Sequence, residues 1–175
     1  VDHQIAAVRA LRPSCLSFSL NELMRDGPDK AEEFLRWSAA NGQGIQFILY
    51  DAAQIVEMRR MLDAGRLHLS DAPRIIVVAG RYSATQDSDI AEFDALYDAL
   101  ADTGLDTESV WMTCAFGRGE LRCARKVFKR THDCGRVKHT VLAQRNLGIR
   151  RAVKFEVIQQ VHNGVIAVAD HFGAA

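Results

Sequence analysis

The sequence contains no apolar run approaching the roughly 20 residues that a membrane-crossing helix requires. Its first residues, VDHQIAAVRALRP, lack the long apolar stretch of a secretory signal. No membrane partner and a soluble, cytoplasmic protein are therefore expected. Cysteine is sparse: Cys15, Cys114, Cys123 and Cys134 form no C-x-x-C pair and no disulfide framework. Reduced, mostly buried thiols are the expectation. Neither G-x-G-x-x-G nor G-x-x-x-x-G-K-[ST] occurs, so a dinucleotide or P-loop site has no positive support. His132, Cys134 and His139 lie close together, but H-x-C-x4-H is not a recognised zinc spacing, and they are read as structural or exposed.

Net charge is also absent, yet only because two unlike parts cancel. Residues 1–120 carry 11 Lys and Arg against 19 Asp and Glu, whereas residues 121–175 carry 11 against 3. Such asymmetry marks either a polyanion-facing tail or a segment of different history. Between Arg122 and Lys154 the one interleaved aromatic is Phe128, which disfavours a nucleic-acid partner bound by base stacking.

With 48% hydrophobic residues in 175, the chain has enough apolar material for one globular core. Four short apolar runs recur at nearly even spacing: CLSFSL (15–20), IQFILY (45–50), RIIVVAG (74–80) and VWMTCAF (110–116). Their length and their Ile, Val and Phe content suit strands buried on both faces of a parallel sheet.

Between them the period changes to that of helices. Gly27-Pro28 opens one, with Ala31, Phe34 and Leu35 on its apolar stripe and Gly42 and Gly44 closing it. Asp51 is the expected N-cap of a second, which carries Ile55, Met58 and Leu62 before Gly65. A third runs from about Ser88 to Gly104 with Ile90, Phe93, Leu96, Tyr97 and Leu100 in phase.

Repeated strand–helix units of this size predict an α/β fold with a parallel sheet, open or closed into a barrel, whose chemistry sits at the carboxyl ends of the strands. Past residue 121 the pattern weakens. ELRCARKVFKRTHDCG suits a basic helix with Leu121, Ala124 and Phe128 inward, VKHTVLAQ a fifth strand, and AVKFEVIQQVHNG a short helix or a strand pair. The expected organisation is a βα-repeat segment over 1–121 and a basic segment over 122–175.

Four polar clusters fall at the predicted strand ends: Ser17, Ser19, Asn21 and Glu22; Tyr50 and Asp51; Arg81, Tyr82 and Gln86; and Gly117, Arg118 and Glu120. Ser17 and Ser19, two apart on one strand, face the same side and with Glu22 suit binding and polarising a polar substrate. Equally, the serines fill space and Glu22 caps the next turn. Arg81 after Gly80 suits an anion clamp or a salt bridge to a helix carboxylate. Arg118 with Glu120 suits a rim site or a surface pair.

Four ordered stretches, LRPSCLSFSLNELMRDG, IQFILYD, VVAGRYSATQDSD and MTCAFGRGE, together resemble the beta-keto acid cleavage enzymes, the family that includes 3-keto-5-aminohexanoate cleavage enzyme. The resemblance spans about residues 8–121. It implies part of a TIM (β/α)8 barrel and a zinc-dependent, retro-Claisen-type exchange in which a beta-keto acid and acetyl-CoA give acetoacetate and a new acyl-CoA. A Lewis acid suits that chemistry by polarising the keto carbonyl.

By position in the resembling motifs, Ser19, Glu22 and Arg81 are the candidate catalytic residues. Ser17, Tyr50, Tyr82, Gln86, Arg118 and Glu120 are the candidate substrate contacts. Zinc is the cofactor the resemblance implies, yet the His-x-His pair that binds it in the family has no counterpart here. Arg136-Val137 matches the start of the family's later carboxylate motif without the residues that complete it, and His139 in that neighbourhood is not assigned as a ligand.

The resulting expectation is an incomplete, N-terminally truncated or inactive barrel segment whose residues 122–175 are diverged or frame-shifted, and which forms homo-oligomers to cover its strand edges. The alternative is a non-catalytic α/β module that binds an anionic ligand or an acidic partner.

Overall fold

In a computed structural model of the protein, the described residues are 1–120, 122, 123, 125 and 126, with the backbone of 139–143, 155–160 and 165–170. The four apolar runs are strands β1 (Cys15–Ser19), β2 (Gly44–Leu49), β3 (Arg74–Ala79) and β4 (Val110–Ala115). A fifth, β5 (His139–Ala143), falls within the stretch VKHTVLAQ. All neighbouring pairs are parallel, and the order across the sheet is β1-β2-β3-β4-β5.

That order determines the architecture. A sheet in which every crossover steps to the next neighbour has no point where the winding reverses. Right-handed crossovers then put all the helices on one face, as in a TIM barrel and unlike a doubly wound sheet. The chain is an α/β protein with a partial TIM-barrel-like fold.

The helices are α1 (Asp2–Leu11), α2 (Leu20–Met24), α3 (Pro28–Ala40), α4 (Ala52–Asp63), α5 (Ile90–Asp102) and α6 (Leu105–Glu108). Three of them start as the local sequence requires, and α3 ends before Gly42 (φ 68°), whereas Gly44, also expected to close it, opens β2. Pro28 occupies the first turn of α3, where its missing N–H is not needed. The Asp51 carboxylate accepts from the Gln54 backbone N–H at 2.9 Å to cap α4, and Asp89 caps α5 through Ala91.

The covered sheet face is a register row of large side chains: Phe18, Phe47, Ile75 and Trp111 stand beside one another across β1 to β4. All four are buried in one cluster with Phe34 and Leu35 of α3, Ile55 and Met58 of α4, and Phe93 and Leu96 of α5. Phe18 meets Phe34 edge-on at 5.1 Å between centroids. On α4 the buried position is Met61, with the expected Leu62 only half-buried, because the apolar stripe drifts around the helix by its last turn.

Alternation sends the other set of side chains to the opposite face. Ser17, Ser19, Gln46, Ile48, Ile76, Met112 and Cys114 lie there, none of them in the buried core.

Helix α1 was not marked by the sequence pattern. It rests on α3 through Ile5, an Arg9–Glu33 ion pair at 3.2 Å and the Arg9 guanidinium 5.4 Å over the Trp37 ring. A basic helix was expected after residue 121. Residues 122, 123, 125 and 126 are helical, and Lys126 pairs with Asp94 of α5; Leu121, Ala124 and Phe128 lie outside the described residues. The stretch AVKFEVIQQVHNG, expected as a short helix or a strand pair, contains the single strand β6 (Phe155–Gln160), which pairs antiparallel with β7 (Val165–Asp170) beyond it.

The thiols are less uniformly buried than expected. Cys123 is buried and Cys114 half-buried, but Cys15 is exposed because it opens the edge strand β1. Cys134 lies outside the described residues. Among the described residues no helix is long and apolar enough to cross a membrane.

Phe47 is fully buried at the centre of the covered face. Phe47→Ala should lower unfolding free energy by about 3–5 kcal/mol, read as a fall in the urea midpoint with an unchanged slope. A loss under about 1 kcal/mol would show that this face is not the core.

Candidate functional site at the carboxyl ends of the strands

Parallel strands bring all their carboxyl ends to one rim, and each of the four polar clusters is found there. Ser19 is the last residue of β1, on the face away from the main helices. Its Oγ is buried and has no hydrogen-bond partner. Two residues earlier on the same face, Ser17 donates to Gln46 Oε1 at 3.1 Å, so its hydroxyl is already engaged within the sheet. Glu22, in α2, forms an ion pair with Arg25 one turn later.

Tyr50 follows β2 and is held by its backbone, whose N–H donates to Gln54 Oε1 at 3.2 Å. Gln54 Nε2 in turn donates to Asp51 at 2.7 Å, so the cap of α4 also fixes the turn carrying Tyr50. The Tyr50 ring is half-buried and meets Tyr82 edge-on, with centroids 4.9 Å apart and planes at 66°. Such a pair contributes about 0.5–1.5 kcal/mol beyond its buried area. Burial pushes the Tyr50 hydroxyl pKa up, and Tyr82, Cys114 and Glu22 add to the shift while Arg81 opposes it. One hydroxyl thus senses groups from all four strand ends.

Arg81 and Tyr82 lie in the loop between β3 and α5, both exposed. Arg81 has no ion pair among the described residues. Gln86, at the exposed turn of this loop, adopts φ 52°, and its backbone N–H bonds to Ser83 O at 3.0 Å.

Arg118 is placed differently. Its guanidinium grips the Asp87 carboxylate with two bonds of 3.0 and 2.8 Å, and its backbone N–H adds a third at 2.8 Å. The fork of Arg118 is therefore occupied by a residue the sequence reading passed over. Glu120 sits near Cys114, whose thiol pKa is raised by burial and then by the Glu120 charge. A thiol with that bias is a weak nucleophile at neutral pH.

Asp87 and Ser88 belong to a close interlock that spacing did not reveal. Ser88 sends both its N–H and its hydroxyl to Phe116 O at 2.8 Å. Gly80 has φ 83°, and a Cβ there would lie 2.6 Å from Ser88 N. Gly117, at φ 68°, leaves room for the Asp87 carboxylate. Nothing in the sequence pairs a loop aspartate with an arginine 31 residues later, although the glycines after β3 and β4 were a partial signal that two backbones approach closely.

A zinc ion would need three or four His, Cys, Asp or Glu donors together. Among the described residues no three converge. At the rim, Cys114 and Glu120 are neighbours, and Glu22 is taken up by Arg25. The described residues therefore do not fit the metal, and no step is derived through it. His132 and Cys134 lie outside them, and His139 is known by its place in β5 opposite Trp111. A shallow crevice at the other end of the strands, lined by Gln43, Gly44, His68 and Arg74, is remote from all these groups.

A one-directional parallel sheet with convergent polar groups at its carboxyl rim defines a barrel-type α/β protein of the class whose loops carry the chemistry. The model of the beta-keto acid cleavage enzyme family matches residues 1–130, and the chain belongs to that family. The comparison with curated proteins returns no match.

The Arg118 bonds hold the Asp87 carboxyl pKa below its ordinary value of 3.8, the backbone N–H first and the guanidinium second. A depressed folded-state pKa stabilises the fold above that ordinary value, and the contribution is lost as pH falls through the lower folded one. Asp87→Asn should therefore reduce stability at neutral pH, with the gap to the parent closing below about pH 4. Denaturation across pH 3–7 tests this, and a gap that persists undiminished at pH 3 would overturn it.

Proposed function

We propose that the rim binds a beta-keto acid for carbon–carbon cleavage, with Arg81 holding the carboxylate and Ser19 donating to the keto oxygen. The observation that carries this reading is the Ser19 hydroxyl. A buried hydroxyl without a partner costs about 1–3 kcal/mol, and this one lies at the carboxyl end of a parallel strand, the end at which barrel folds carry their chemistry. A ligand oxygen there relieves the cost. Arg81 supports the reading as an exposed guanidinium whose planar fork matches a carboxylate.

Other groups take supporting parts. A donor on the keto oxygen stabilises the enolate formed when C2 of the keto acid loses a proton and attacks the acetyl thioester, expelling CoA thiolate. It then stabilises the alkoxide formed when that thiolate adds to the keto carbon, whose collapse breaks the C2–C3 bond. Acetyl-CoA is the second substrate on this reading, giving acetoacetate and a new acyl-CoA. Asp87 and Arg118 strap the loop that carries Arg81 to the end of β4, so Arg118 positions and does not bind. Ser17 shapes the sheet face through Gln46. Glu22, paired with Arg25, is a proton acceptor only when that pair opens. Candidate substrates are beta-keto acids that differ in the group beyond the ketone.

The test uses 2-oxopropylphosphonate, which keeps the anion and the ketone but cannot lose carbon dioxide, titrated into the full chain and followed by NMR. Arg81→Gln removes a charge-assisted bond and should weaken binding by roughly 10- to 100-fold. Ser19→Ala should weaken it several-fold. Equal binding by both variants and the parent would overturn the assignment, and acetoacetate release from a beta-keto acid and acetyl-CoA would extend it to catalysis.

A further inference from the structure

We infer that the Tyr50–Tyr82 ring pair is the specificity wall of the keto acid site and selects uncharged apolar substituents, aliphatic or aromatic, over cationic ones. This rests on the reading of the rim as a keto acid site.

Tyr82 is 74% exposed, one of three large apolar or aromatic side chains so placed among the described residues. Unlike the other two, Leu11 on α1 and Val56 on α4, it stands in a strand-end loop and against another ring. Its chain neighbour is Arg81, so a substrate anion held by that fork leaves its substituent within reach of the rings. The turn that carries Tyr50 is held by Gln54 and Asp51, so one ring of the wall is anchored and the other stands open to solvent.

Exposed tyrosines also suit cations, since ring faces attract them. Here the charge beside the rings decides. Arg81 is matched by the substrate anion, and the acidic groups nearby are mostly engaged. Glu22 is neutralised by Arg25, and Asp87 by Arg118. Glu120 lies by Cys114, which the Tyr50 hydroxyl also senses. A cationic substituent against Tyr82 would lose hydration with both Glu22 and Asp87 already paired to arginines, whereas an alkyl or phenyl group gains apolar contact at no such cost.

The experiment compares four 2-oxoalkylphosphonates that differ only in the substituent beyond the ketone: methyl, isobutyl, benzyl and aminopropyl. Calorimetric titration of the parent chain should show isobutyl or benzyl binding about tenfold more tightly than methyl, with aminopropyl the weakest. Tyr82→Ala should collapse the benzyl-to-methyl ratio to about twofold or less, while Tyr82→Phe retains it. Because Tyr82 is exposed, its truncation leaves the core intact. An unchanged ratio in Tyr82→Ala, or tightest binding by aminopropyl, would overturn the inference while leaving the keto acid reading standing. Binding by none of the four would remove that reading and this inference together.

Discussion

Every feature of the rim depends on parallel strand pairing with crossovers that step in one direction. Parallel pairing aligns the carboxyl ends of β1 to β4, so four loops separated by up to 100 residues of chain open onto one edge. One-sided crossovers then commit one sheet face to helices and free the other for side chains such as Ser19 and Met112. Antiparallel pairing would alternate the ends, and Glu22, Tyr50, Arg81 and Glu120 would not share an edge.

Within that frame, two kinds of polar group divide the work. One kind is satisfied by the protein: Ser17 on Gln46, Arg118 on Asp87, Glu22 on Arg25, Ser88 on Phe116. These bonds set the shape of the loops and limit their motion. The other kind is left over, and at this rim it includes the Ser19 hydroxyl and the Arg81 guanidinium. Groups left over at the functional end of a parallel sheet are the ones available to a ligand. Their hydrogen-bonding state separates them from residues of the same type that hold the scaffold.

The residues expected to form a site were chosen because they cluster at strand ends, and the structure places them there. Strand-end position is legible because it follows from where an apolar run stops. The partition between Arg81 and Arg118 is not legible in that way. Both are arginines one residue after a glycine in a post-strand loop, and the difference lies in Asp87, brought to Arg118 by the packing of Gly117 against its carboxylate. The aromatic pair has the same origin. Tyr50 and Tyr82 are 32 residues apart and meet because β2 and β3 are adjacent.

What the sequence determined by itself were the quantities carried by local periodicity and local chemistry. These include the four strands and their limits, the cap at Asp51, the proline start of α3, and the α/β class that follows from their alternation. Such features depend on neighbours within about four residues, where the rules of helix and strand geometry are strict. The tertiary structure alone decided which polar groups are spent and which remain, which serine is satisfied, and which arginine is free. Those outcomes depend on contacts between loops distant in the chain, where a shift of one or two ångströms makes or removes a hydrogen bond.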